Sequence, residues 1–295
     1  ELIKEIKKKY PHLKIIVAGP ISTSDQKWDS DIIYAILKGE YEKNIMKVIN
    51  GQTGLIEHDL LTLEEMNNAP YPYYDENIYN KYFDGNPIPM NQLSPQAHVL
   101  TSRGCPFKCI FCVWPAAMTG NDPDGENKRS VRQYSADYME GFLDELTSKY
   151  KFESIYFDDD TFNIGNKHTQ EISKVAGKYN VPWFAMCRAD KCKKETWITM
   201  RDNGCKGVKI GIESGSQYVV DKIVNKHLDL NYTREIVDHI RSLDMSVHGT
   251  FTYGLPGETK EQMLETKEFI KSLDLSATKT IIVAIFQKIK DQTIY

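Results

Sequence analysis

Apolar positions along the chain change period several times, and the changes mark its elements. Leu2, Ile3 and Ile6 stand among charges in residues 1–10, the spacing of an amphipathic helix that Pro11 stops. Lys14-Ile15-Ile16-Val17-Ala18 predicts a buried strand ending at Gly19-Pro20. Asp31-Ile32-Ile33-Tyr34-Ala35 predicts a second, followed through Lys38-Gly39-Glu40 by a helix to about Val48. Helix, strand, loop, strand, helix is a piece of a doubly wound parallel sheet. Over 51–95 both periods fade into proline, asparagine and tyrosine, which predicts an inter-domain linker whose aromatics are packing anchors.

Past residue 95 strand and helix patterns alternate. Strands are expected at 97–102, 153–158, 183–187, 206–212, 246–252 and 278–286. Helices are expected at 134–149, 166–178, 193–203, 216–226 with 231–243, and 258–272. Repeated βα units with right-handed crossovers curve a parallel sheet into most of a barrel. The expected fold class is therefore α/β: a partial (β/α)6 TIM-like barrel over 96–295, a partial Rossmann-like domain over 1–50, and a linker over 51–95. Function in such folds gathers at the carboxyl ends of the strands.

Composition narrows the partners. With 295 residues, 41% of them hydrophobic and 26% charged, the chain can bury a large core. A net charge of -4 and a pI near 6.0 give no electrostatic footprint for general nucleic-acid binding. No run of 18 apolar residues exists and Glu1-Leu2-Ile3-Lys4-Glu5 is no signal peptide, so no membrane partner and a cytoplasmic location are expected. Unpaired cysteines suit that reducing compartment. The chain opens without Met inside a helical pattern, from which a start within a longer protein is expected.

Candidate chemistry sits at the strand ends. Cys105, Cys109 and Cys112 bring half of the six cysteines together at a CxxxCxxC spacing after the first barrel strand. Thiolates are soft ligands for zinc or an iron-sulfur cluster. Structural zinc takes four ligands, yet the next cysteine is Cys187 and the next histidine His168. A four-iron cubane on three thiolates leaves one iron open, and zinc with a distant fourth ligand is the alternative. Asp158-Asp159-Asp160 close the second strand, where buried like charges need cations or donors, or where Asp160 or Thr161 caps a helix. Arg188 suits a carboxylate, with Asp190 as a nearby rival. Alternation in strand four turns Glu213 inward, and Ser214 reads equally as a cap. In strand five, His248, Thr250 and Thr252 share the face expected to line the cavity and are candidate substrate contacts, although a buried core histidine fits His248 as well.

The run TSRGCPFKCIFC resembles the cluster-binding motif of radical S-adenosylmethionine (SAM) enzymes, and the other segments resemble the subgroup with an amino-terminal cobalamin-binding domain. The resemblance implies Cys105, Cys109 and Cys112 as ligands of a 4Fe-4S cluster and SAM on its open iron, with Phe111 against the adenine. It makes Asp159 and Asp160 candidates for the SAM ammonium, Arg188 for another SAM contact, and Glu213 with Ser214 for the ribose. Gly254-Leu255-Pro256-Gly257-Glu258 resembles the family's glycine-rich turn near the adenine. The implied reaction is reductive cleavage of SAM to a 5'-deoxyadenosyl radical, leading to methyl transfer or rearrangement on an unidentified small-molecule or peptide substrate. A reductant such as flavodoxin or ferredoxin is the implied partner, and cobalamin the cofactor of the full-length protein. Two departures stand out: a cobalt-ligating histidine loop would lie upstream of residue 1, and Phe286–Thr293 replaces the family's Tyr-Pro-Gly-Thr run.

Overall fold

The computed structural model describes residues 2–23, 27–75, 93, 95–112 and 130–275. They fall into two compact units, one holding the described residues of 2–68 with 104–106, 112 and 130–132, the other those of 69–103, 107–111 and 133–275.

In the first unit helix α1 (Leu2–Lys9) precedes a parallel sheet ordered β1 (Ile15–Val17), β2 (Ile33–Leu37), β3 (Gly54–Ile56). Alternate residues of β2 are buried, and Ala35 and Leu37 pack with Ile56 and with Val48 of α2 (Glu42–Ile49). The second strand lies two residues later than the sequence pattern suggests. The linker expectation over 51–95 also needs correction, because β3 extends the sheet and α3 (Leu63–Asn67) follows under a Thr62/Glu65 capping box. Three residues are too short for a period to show, which is why β3 is illegible in the sequence. Glu40 is buried, accepts from the Leu61 amide at 3.0 Å and is ion-paired with Arg132.

The second unit is built on β4 (Gln96–Val99), β7 (Ser154–Phe157), β8 (Trp183–Cys187), β9 (Cys205–Glu213) and β10 (Ser246–Phe251), with two-residue strands β5 (Ser102–Arg103) and β6 (Arg132–Gln133) on either side of the cysteine loop. The five long strands form one parallel sheet in the order β10-β9-β8-β7-β4, with chain neighbours also neighbours in space. That is the singly wound order of a βα barrel, so all carboxyl ends share one rim. Helices α4 (Ala136–Lys149), α5 (Asn166–Gly177), α6 (Lys194–Asp202) and α7 (Leu230–Ser242) pack each against the next, and α8 (Lys260–Lys271) follows β10. Trp183 meets the Phe157 ring edge-on and the Phe162 ring at a tilt, and donates to the Asn203 carbonyl beyond α6, which fixes the helix-covered face. Ile155, Ala185, Val208, Ile210 and Val247 share that face by register and are buried to 1% exposure or less.

The expected sixth strand at 278–286, much of the 51–95 linker and the Phe286–Thr293 run lie outside the described residues. The helix expected over 216–226 is present but shorter, over 217–223, and wound as a π-helix at Val219–Ile223, after which Asn225 and His227 adopt left-handed backbone. Its run of β-branched Val219, Val220, Ile223 and Val224 disfavours a longer α-helix. No described helix is long and apolar enough to cross a membrane.

Candidate functional site

Asp159 follows β7 and is 1% exposed. Its Oδ1 accepts from the Thr101 amide and hydroxyl, both at 3.0 Å, and from the Ser102 hydroxyl at 2.5 Å. Those donors are the residues immediately before Arg103-Gly104-Cys105, so the root of the cysteine loop is tied to the end of the neighbouring strand. Oδ2 is buried with no partner. Burial pushes this carboxyl up to about 7 against the pull of the Ser102 and Thr101 hydrogen bonds.

None of the three motif cysteines is in a disulfide; Cys105 is buried and the others are half-buried. Cys109 and Phe111 pack on Val219, Val224 and Leu255, and Leu255 belongs to the GLPGE turn. That turn is closed by Glu258, which accepts from the amides of Gly254 and Leu255 at 2.7 and 3.1 Å. The elements expected near an adenine are thus brought together. Among the described residues no three His, Cys, Asp or Glu side chains converge in metal-ligand geometry. The donor types nonetheless suit the implied groups: three unoxidised thiols within eight positions of the sequence are soft ligands for a metal centre, and a buried carboxylate oxygen with no partner among the described residues suits a cation.

The segment Val224–His227, which sequence reasoning missed, seats several of these parts. The Val224 carbonyl accepts from the Ile110 amide at 2.9 Å, and the Asn225 side chain donates to the Lys108 carbonyl at 3.1 Å. Lys226, 8% exposed, donates through Nζ to Glu213 Oε1 at 2.9 Å while its carbonyl accepts from Arg188 at 3.0 Å. Glu213 also accepts from the Thr252 hydroxyl at 3.3 Å and has a left-handed backbone, φ 73°. A non-glycine residue held there carries strain of the kind that collects at functional sites. A Cβ on Gly211 would lie 2.6 Å from Glu213 Oε1 and 2.8 Å from Lys226 Nζ, so the glycine makes room for the pair. The left-handed-tolerant Asn225 beside Lys226 was the available signal.

Arg188 is 4% exposed and forks onto Asp190 at 3.0 and 3.2 Å, with its guanidinium 3.8 Å from the Phe107 ring centroid. Its own amide and carbonyl are both held by Asn163. Burial works against the ionised Asp190, but the hydrogen bonds and charges of Arg188 and Lys191 outweigh it and hold that carboxyl below the ordinary range. The arrangement matches the Asp190 alternative for Arg188. The Ser214 hydroxyl contacts the Thr266 hydroxyl of α8 at 2.8 Å and accepts from the Ser216 amide at 3.1 Å. Asp160 is half-buried beside Asp159, and its carbonyl accepts from the Thr161 hydroxyl. His248 is fully buried, and Thr250 reaches the Glu213 side of the sheet, its hydroxyl 3.6 Å from the Cβ position of Gly211. Cys187, Cys192 and Cys205 are buried thiols, each pushed up by burial, the latter two to about 12.

The chain is similar to several known proteins. A curated but uncharacterized methyltransferase of Pyrococcus horikoshii is 26% identical over 254 residues, covering 83% of this chain and 50% of the relative. Cytidylyl-2-hydroxyethylphosphonate methyltransferase of Streptomyces wedmorensis is 27% identical over 243 residues, covering 77% of this chain and 42% of its own. The chain thus spans half or less of the length of these relatives. The solved radical SAM methyltransferase TsrM of Kitasatospora setae, with tryptophan and a SAM analog bound, superposes with a TM-score of 0.53 at 16% identity, over 62% of this chain and 35% of that one. This likeness concerns the fold. The radical SAM superfamily model matches residues 99–270, from the end of β4 into α8, and the chain belongs to that superfamily.

Proposed function

We propose that the chain holds a 4Fe-4S cluster through Cys105, Cys109 and Cys112, binds SAM at the carboxyl rim of the second unit, and serves a methyltransferase of the cobalamin-dependent type. The observation that carries this reading is the CxxxCxxC loop rooted through Thr101 and Ser102 on buried Asp159, within a chain of this superfamily. The chemistry the cluster supplies when bound is one electron for cleaving the SAM carbon–sulfur bond, yielding a 5'-deoxyadenosyl radical that takes hydrogen from substrate. Asp159, through its unpartnered Oδ2, and Asp160 are the acids for the SAM ammonium. Glu213, oriented by Lys226 and Thr252, keeps acceptor capacity for ribose hydroxyls. Phe111 and Leu255 offer an apolar surface to the adenine. Arg188 orders the site through Asp190 and Phe107, and Ser214 through α8. His248, Thr250 and Thr252 belong to the substrate side.

Methyl transfer is favoured because the matched relatives are methyltransferases and TsrM has also been solved with cobalamin and a [4Fe-4S] cluster. The Val17-Ala18-Gly19-Pro20 strand end and the Lys38-Gly39-Glu40-Tyr41-Glu42 stretch of the first unit resemble the last part of a cobalamin-binding sheet, and cobalamin is proposed for the full-length protein. A cytoplasmic reductant of the flavodoxin or ferredoxin type would deliver the electron, and the substrate is a small molecule or peptide.

Anaerobic reconstitution with iron and sulfide, followed by electron paramagnetic resonance and incubation with dithionite and SAM, tests the reading. A reduced-cluster signal and 5'-deoxyadenosine are expected, and both should vanish in Cys109→Ala. Stoichiometric zinc without a cluster signal, or unchanged product in Cys109→Ala, would overturn it.

A further inference from the structure

The inward face of the second unit's sheet carries a lysine with no described ion pair. By register with Tyr156 and Met186, Lys209 of β9 lies on the face opposite the helices. It is half-buried, and its ammonium stands 5.9 Å from the centroid of the Tyr156 ring. The charged neighbours on this side pair with one another: Lys226 with Glu213, Arg188 with Asp190, and His98 with Asp158 at 3.4 Å. No described carboxylate comes within ion-pair distance of Lys209. A half-buried ammonium that faces a ring and has no ionic partner among the described residues has lost part of its hydration, an arrangement that favours an added anion.

Position gives that anion its place. Lys209 precedes Gly211 by two residues and Glu213 by four on the same strand, so its Cα lies about 7 Å and about 13 Å below them at the usual strand rise. Gly211 adds no side chain between these levels, and the Lys226–Glu213 pair folds over it. The strand-end level is the one assigned above to SAM, and Lys209 lies deeper within the sheet's concave side. His248, its direct cross-strand partner on β10, is fully buried beside it and blocks the lysine from turning that way.

We infer that Lys209 is a substrate-binding residue that pairs with an oxyanion, a carboxylate or a phosphate-type group, on a small-molecule substrate held beneath SAM. This rests on the reading of the strand ends as a SAM site.

Limited acylation of lysines in the cluster-loaded, SAM-bound chain, quantified by peptide mass spectrometry, tests it with inorganic phosphate and acetate as separate probes. At saturation at least one probe should slow acylation of Lys209 fivefold or more while exposed Lys222 is unaffected. Protection at lower phosphate than acetate concentration assigns a phosphate-type group, and the reverse order a carboxylate. The same anion should raise the thermal midpoint of the wild type and of Lys209→Arg, but not of Lys209→Met. Equal acylation of Lys209 with and without both anions overturns the inference. If 5'-deoxyadenosine still forms in that case, the radical SAM reading survives alone. Protection of Lys209 in a chain that never forms 5'-deoxyadenosine keeps the anion site and removes the reaction.

Discussion

Asp159 shows how a single residue couples the site to pH. With its carboxyl raised from 3.8 to about 7 by burial, the folded chain keeps a proton that the unfolded chain has released between about pH 4 and 7. The contribution of this residue to stability is then greatest in acid and falls as pH rises through that window, by about 1.4 kcal/mol per unit. Asp159→Asn should flatten the slope, as measured by urea unfolding at a series of pH values. SAM affinity should run the other way, weakening about tenfold per unit below pH 7 as the carboxylate that would face the ammonium is protonated, and equilibrium dialysis would show it. Lys226 gives a second prediction at this scale. Lys226→Met leaves Glu213 buried without its cation and should cost about 3–5 kcal/mol, part of which Glu213→Gln in the same chain should restore. Glu213 was legible because strand alternation points it inward. Its partner was not, because Lys226 lies thirteen positions away in a segment without period.

Close approach between elements is concentrated at glycines. A Cβ on Gly215 would stand 2.4 Å from the Phe269 Cβ and 2.7 Å from the Thr266 Cα, so helix α8 itself would have to move. Gly215→Ala should destabilise the second unit by about 1–3 kcal/mol, read as a lowered midpoint in denaturant. Most elements were readable from pattern, since a buried parallel strand such as Trp183–Cys187 followed by an amphipathic helix leaves a strong change of period. What escaped was β3, too short for periodicity, and the π winding and early end of the helix at Val219–Ile223, whose apolar run looks longer until the left-handed Asn225 is known.

At the scale of the molecule the two units differ in the depth of their cores. Among the described residues the first buries mostly aliphatic side chains, Ala35, Leu37, Val48, Ile56 and Met66, whereas the second buries Trp183, Trp197, Phe157 and Phe162 along with the apolar face of five strands. Small cores give low local stability, so amides of β1–β3 should exchange with deuterium faster than those of β7–β9. Comparable protection in both sheets would contradict that ranking. Domain limits were only partly legible, because the first unit runs on to residue 68 and claims Arg132, whose attachment to Glu40 spans ninety-two positions. The Val224–His227 segment has a consequence for sequence length. Three consecutive residues, Val224, Asn225 and Lys226, hold the backbone of the cysteine loop, the Arg188 fork and the Glu213 carboxylate at once, so the spacing between them matters alongside the Lys226 side chain. Inserting one glycine after Asn225 should dislodge the lysine from its carboxylate while leaving the loop contacts in place, whereas Asn225→Gly, which keeps the count, should be borne far better.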